Sequence, residues 1–72
     1  MKTDLSEMQA RLLEFLVAYS DEHGQMPTQR RMANEFRLEY LGTIRGRLAA
    51  LERKGWIRRT GKPRGIEIRR WA

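Results

Sequence analysis

Arg45 and Arg47 lie in the stretch LGTIRGRLAALERKG, residues 41 to 55, which also carries Gly42 and Gly46 four residues apart. Guanidinium groups beside a bare length of helix suit the reading of a grooved, anionic surface, because arginine's fork matches guanine O6 and N7 or a pair of phosphate oxygens. Thr43 offers a methyl to a thymine methyl, and Tyr40, Gly42 and Gly46 complete this first candidate set. A second set is Thr28, Gln29, Arg30 and Arg31, where two cations sit in the first turn of an expected helix. Carboxylates are normally favoured there, by about 0.3 to 1 kcal/mol each. An incoming phosphate would reverse that penalty and make the turn a clamp; two solvated side chains are the alternative. The third set, Arg53, Lys54, Arg58, Arg59, Lys62 and Arg64, would supply charge and salt dependence more than sequence choice.

Catalytic chemistry finds no comparable set. The chain has no cysteine, so it offers no thiolate nucleophile and no Cys-based zinc site, and one histidine, His23, stands at an expected helix end. Gly61-Lys62-Pro63-Arg64-Gly65 lacks the spacing and the strand-to-helix context of a phosphate-binding loop, and the carboxylates are scattered. No enzyme activity, metal, cofactor or small-molecule substrate is expected. No apolar run approaches the roughly 20 residues of a membrane span, and MKTDLSEMQ has no secretion-signal pattern. The expectation is one intact cytoplasmic domain with no membrane partner.

Charge is distributed unevenly along the 72 residues. Residues 1 to 52 hold seven Lys/Arg against eight Asp/Glu, whereas the last twenty hold eight against Glu67 alone. Such asymmetry points to a polyanionic partner, with a solubilising basic tail as the alternative.

Three helices and a hairpin must position these groups. Leu5, Met8, Leu12, Phe15, Leu16 and Tyr19 recur at helical spacing, with Ser6 and Gln9 forming a capping box, which predicts helix 1 over about 6–22, ended by His23-Gly24. Thr28 caps helix 2, about 28–36, with Met32, Ala33 and Phe36 on its apolar face. Helix 3, about 41–54, buries Ile44, Leu48 and Leu51 and stops at Gly55. Gly42, Gly46, Ala49 and Arg53 fall opposite that line, with Thr43 and Ala50 beside them and Arg45 and Arg47 on the flanks. Each glycine weakens a helix by about 0.5 to 1 kcal/mol, so something is expected to approach this face closely. Trp56-Ile57 and Ile66-x-Ile68 then flank a tight loop and predict a hairpin over about 56–70, its isoleucines on the helices and Arg58, Arg59, Lys62, Arg64, Arg69 and Arg70 in water. Trp56 reads as core packing; Trp71 is ambiguous.

Three helices followed by a basic hairpin is the order of a winged helix-turn-helix, a mainly α (α+β) class. At this point the chain resembles the N-terminal DNA-binding domain of the LexA repressor family. The resemblance rests on Gln9, Gly24-x-x-Pro27-Thr28, Met32-Ala33, Leu48-x-x-Leu51-x-x-Lys54-Gly55-x-Ile57 and Arg64-Gly65-Ile66, and covers about residues 5 to 69. It implies a recognition helix in the major groove, the start of helix 2 on a phosphate, and the wing on the backbone or minor groove. The chain departs from the family pattern at Arg31, which replaces a capping-box glutamate, and at Arg37, which replaces a turn glycine. Tyr40, Leu41, Gly42, Arg45 and Gly46 replace the family's Ser-x-Asn stretch and paired glutamates, so its operator is not expected to carry over. Nothing after Ala72 supplies a peptidase half, so a stand-alone domain without self-cleavage is expected.

The functional expectation is a small sequence-specific regulator of transcription, a repressor-like protein of the kind phages or mobile elements encode, bound to double-stranded DNA in the nucleoid of a bacterial or phage-infected cell. A homodimer on a palindrome is the usual way for such a module to gain affinity, formed only on DNA or through Trp71 and the hairpin edge. The alternative is a protein-binding module, such as a phage-type inhibitor of a host enzyme, using Gly42, Gly46, Ala49 and Ala50 to admit a partner helix.

Overall fold

The computed structural model describes residues 4–62 and 64–69. Pro63, Arg70, Trp71 and Ala72, named above from the sequence, lie outside them. Five elements follow in chain order: α1 (Glu7–His23), α2 (Gln29–Glu35), α3 (Leu41–Arg53), β1 (Ile57–Arg59) and β2 (Ile66–Ile68). The strands pair antiparallel, with Ile57 opposite Ile68, Arg58 opposite Glu67 and Arg59 opposite Ile66. This is a three-helix winged helix-turn-helix.

Each helix boundary has a local cause. Ser6 Oγ accepts the Gln9 amide at 3.1 Å while Gln9 Oε1 accepts the Ser6 amide at 3.0 Å, which completes the capping box. Gly24, in the left-handed region at φ 74, closes α1 with its N–H on the Ser20 carbonyl. Thr28 Oγ1 accepts the Arg31 amide at 3.0 Å and opens α2. The reciprocal half of a box is missing there because Arg31 has no acceptor to return.

The turn between α2 and α3 decides how the two helices cross. Arg37 takes φ 56, and the Leu38 amide reaches the Ala33 carbonyl at 2.8 Å while the Arg37 amide reaches Asn34. That is the Schellman closure usually built on glycine, here carried by an arginine in the left-handed region. Gly55, at φ 82, repeats the closure after α3, with Trp56 bonded to Leu51 and Gly55 to Glu52.

Leu12, Leu13 and Leu16 of α1, Met32 and Ala33 of α2, Ile44, Leu48 and Leu51 of α3, and Trp56 and Ile57 form one buried cluster, with Phe15, Phe36, Ile66 and Ile68 packed on it. One expectation needs correction. Met8 is 36% exposed, whereas Leu13 is fully buried: the buried face of α1 is rotated from Met8 toward Leu13. Trp56, 2% exposed, is core, and joins the end of α3 to the wing. Truncating a fully buried leucine in so small a cluster would cost about 2 to 5 kcal/mol, a large part of the stability of a domain this size.

Candidate nucleic-acid interface

The apolar line Ile44, Leu48, Leu51 fixes α3 to the core and turns Gly42, Thr43, Arg45, Gly46 and Arg53 to solvent. A β-carbon built on Gly42 or Gly46 would meet no atom within 4 Å. Nothing inside the described chain therefore requires either glycine. Gly65 is the contrast: a β-carbon there would strike Thr60 Oγ1 and lie 2.8 Å from the Lys62 carbonyl oxygen, so its smallness serves the wing loop itself. Tyr40, the N-cap of α3, is 72% exposed, and its side chain makes no capping bond.

Ala50 does not belong to this open face. It is 7% exposed, against the expectation that it lies beside the glycines. The reason is the flank it shares with Lys54, one turn on. Lys54 Nζ donates to the Asp4 carbonyl oxygen and to Gln9 Oε1, so this side of α3 turns to the start of α1 rather than to solvent. Lys54 is thereby placed away from Gly42 and Gly46, as a tie between chain ends. Asp4 also accepts the Trp56 indole N–H, at 3.1 Å.

At the start of α2 the structure separates two neighbouring arginines. Arg31 folds back: its Nη1 lies 3.1 Å from Glu35 and its guanidinium 5.5 Å from the centre of the Phe15 ring. Arg30 is exposed and has no ion-pair partner among the described residues. Gln29 reaches α3, where its Oε1 accepts Arg45 Nε at 3.2 Å. Arg47 is half-buried and, like Arg53, unpaired among the described residues.

The wing divides its cations in the same manner. Arg58 donates to both carboxylate oxygens of Glu67, directly across the ladder, and Arg59 donates its backbone N–H and its Nε to Glu52 at 3.0 Å each. Arg59 shares a strand face with Ile57, yet it stays exposed, with its side chain turned to Glu52 of α3. These bonds move the carboxyl titrations: the Arg59 backbone N–H, then its side chain, hold Glu52 below the ordinary 4.5, and Arg58 does the same to Glu67. Glu67 in turn raises Arg58. Lys62, Arg64 and Arg69 have no ion-pair partner among the described residues. Between wing and helices lies a groove of about 400 Å³, bordered by Gln29 on one side and by Lys62 and Arg64 on the other, with Met32, Leu48 and Ile66 at its apolar part.

Gln29 is therefore the meeting point of the three candidate sets, bonded to Arg45 of α3 and facing the wing loop across the groove. Residues 2–65 match the family described as the LexA DNA binding domain. The chain belongs to that family. Among its curated relatives, the LexA repressor of Pseudothermotoga lettingae is 38% identical over 68 residues, 94% of this chain and 34% of that protein. The LexA repressor of Caldicellulosiruptor saccharolyticus is 41% identical over 94% of this chain and 34% of its own length, and that of Thermotoga maritima 39% over 90% and 33%. This LexA-type domain thus spans about a third of the relatives it matches. Two of its structural residues escaped sequence reasoning. Glu52, the acid at the head of the basic run, left that position as its only trace; Asp4, 52 residues from Trp56, left none.

Proposed function

We propose that this LexA-type domain is a transcriptional regulator that binds double-stranded DNA by sequence, in the nucleoid, with α3 in the major groove and the wing on the backbone or minor groove. The observation that carries this reading is the open face at Gly42 and Gly46, for which the described residues have no internal use, beside Arg45, whose partner Gln29 lines a groove with Lys62 and Arg64. A backbone stripped of side chains there lets the helix axis come close to base edges, with Thr43 and Arg45 reaching past it. Tyr40 would meet the same DNA at the helix start. Arg30, Lys62, Arg64 and Arg53 would neutralise phosphates. Arg31, Lys54, Arg58 and Arg59 have partners within the chain and would contribute chiefly to shape.

A second copy on a palindromic site would raise affinity, since one such module buries a limited area. The competing reading, a partner helix packed on small residues, loses Ala50 from its surface and keeps Gly42, Gly46 and Ala49. Selection of bound duplexes from a random pool at rising salt tests the proposal. An enriched motif, with its symmetry, supports it; undetectable binding at moderate salt, or binding unchanged by Arg45→Ala with Arg64→Ala, refutes it.

A further inference from the structure

Arg45 and Gln29 are 16 residues apart, yet they share the one side-chain hydrogen bond between α2 and α3 among the described residues. The bond uses Nε of Arg45 and Oε1 of Gln29, both at the exposed rim where the α2 start meets the first turns of α3. A guanidinium presents two edges. With Nε occupied by Gln29, the opposite edge, made of the two terminal nitrogens, keeps its paired donors for an outside acceptor, and no ion pair within the described chain takes them. An arginine free to rotate can serve as a diffuse phosphate charge; one held by a side acceptor presents a fixed fork, the requirement for bidentate contact with guanine O6 and N7.

We infer that Gln29 is a positioning residue for base recognition: its amide oxygen orients Arg45 so that the terminal guanidinium edge reads one G·C pair in the major groove. The inference rests on the proposed DNA-binding reading and deepens it. Gln29 would otherwise count as a phosphate contact, whose loss weakens binding equally on every sequence. As a positioning residue its loss relaxes the choice of base at one position and leaves affinity for unrelated DNA nearly unchanged. Glutamate in its place keeps the acceptor for Nε while adding a charge that repels phosphates.

The test begins with the duplex selected by the unaltered domain. Affinities are then measured for the unaltered domain, Arg45→Ala, Gln29→Ala, Gln29→Glu and the Gln29→Ala/Arg45→Ala pair on that duplex, on all its single-base variants and on scrambled DNA. Arg45→Ala is expected to erase a preference on the order of tenfold for G·C at one position. Gln29→Ala should erase most of the same preference with scrambled-DNA affinity within about twofold, and the double variant should lose no more than Arg45→Ala alone. Gln29→Glu should weaken binding to all DNA yet keep the preference. Uniform weakening by Gln29→Ala, or a base preference that survives it, overturns the inference while leaving the DNA-binding reading standing. A pool with no enriched sequence overturns both.

Discussion

Glu52, in the last turn of α3, accepts the backbone N–H and the Nε of Arg59 at 3.0 Å each, so α3 itself holds the first strand of the hairpin. The carboxylate makes these bonds best when ionised, which is why its titration is pushed below the ordinary 4.5. A depressed folded-state value contributes stability that is present above 4.5 and is lost as pH falls through the lower, folded value. Glu67, held down by Arg58, acts in the same direction. The urea midpoint is therefore expected to fall from about pH 5 to about pH 3, and Glu52→Gln should flatten part of that fall. An unchanged pH profile in Glu52→Gln would show that the clamp contributes nothing.

Gly46→Leu separates a DNA-facing surface from a structural one. Open space surrounds the position, so the side chain is accommodated, and the helix gains about 0.5 to 1 kcal/mol from the loss of glycine. Melting should rise by a few degrees while specific DNA binding disappears. A variant that binds the selected duplex as before, yet loses a stoichiometric protein partner, would favour the protein-docking reading.

Arg37 holds a left-handed conformation at φ 56 that costs a residue with a β-carbon about 1 to 2 kcal/mol. Arg37→Gly relieves this, less the extra chain entropy that glycine adds to the unfolded state, for a net gain of about 0.5 to 1 kcal/mol. Denaturant titration reads it directly; a loss of stability would mean that the side chain of Arg37 supports the turn in some other way.

Lys54 and Arg64 carry the same charge in different settings. Lys54 is bonded to Asp4 and Gln9, so Lys54→Ala should lower stability by about 1 kcal/mol and leave the salt dependence of DNA binding unaltered. Arg64→Ala should leave the melt nearly unmoved and reduce the slope of log K against log salt by about 0.9. Reversed outcomes would exchange their roles.

What the sequence by itself determined is local in origin. Helical spacing, the Ser6–Gln9 box, the Thr28 cap and the stops at Gly24 and Gly55 depend on residues within a turn or two of one another, and each stands where the pattern indicates. Family membership was also legible, because motif order survives without coordinates. The sharing of charges was not. Whether a cation is free or taken depends on which carboxylate or carbonyl the packing brings within about 3 Å. Only the tertiary structure therefore turned Lys54 to Asp4 across 50 residues, Arg59 to Glu52 and Arg45 to Gln29, and buried Ala50 on a flank that the helical wheel left open. The wheel assigns angles around one helix; the crossing of its neighbours decides which of those angles meet water.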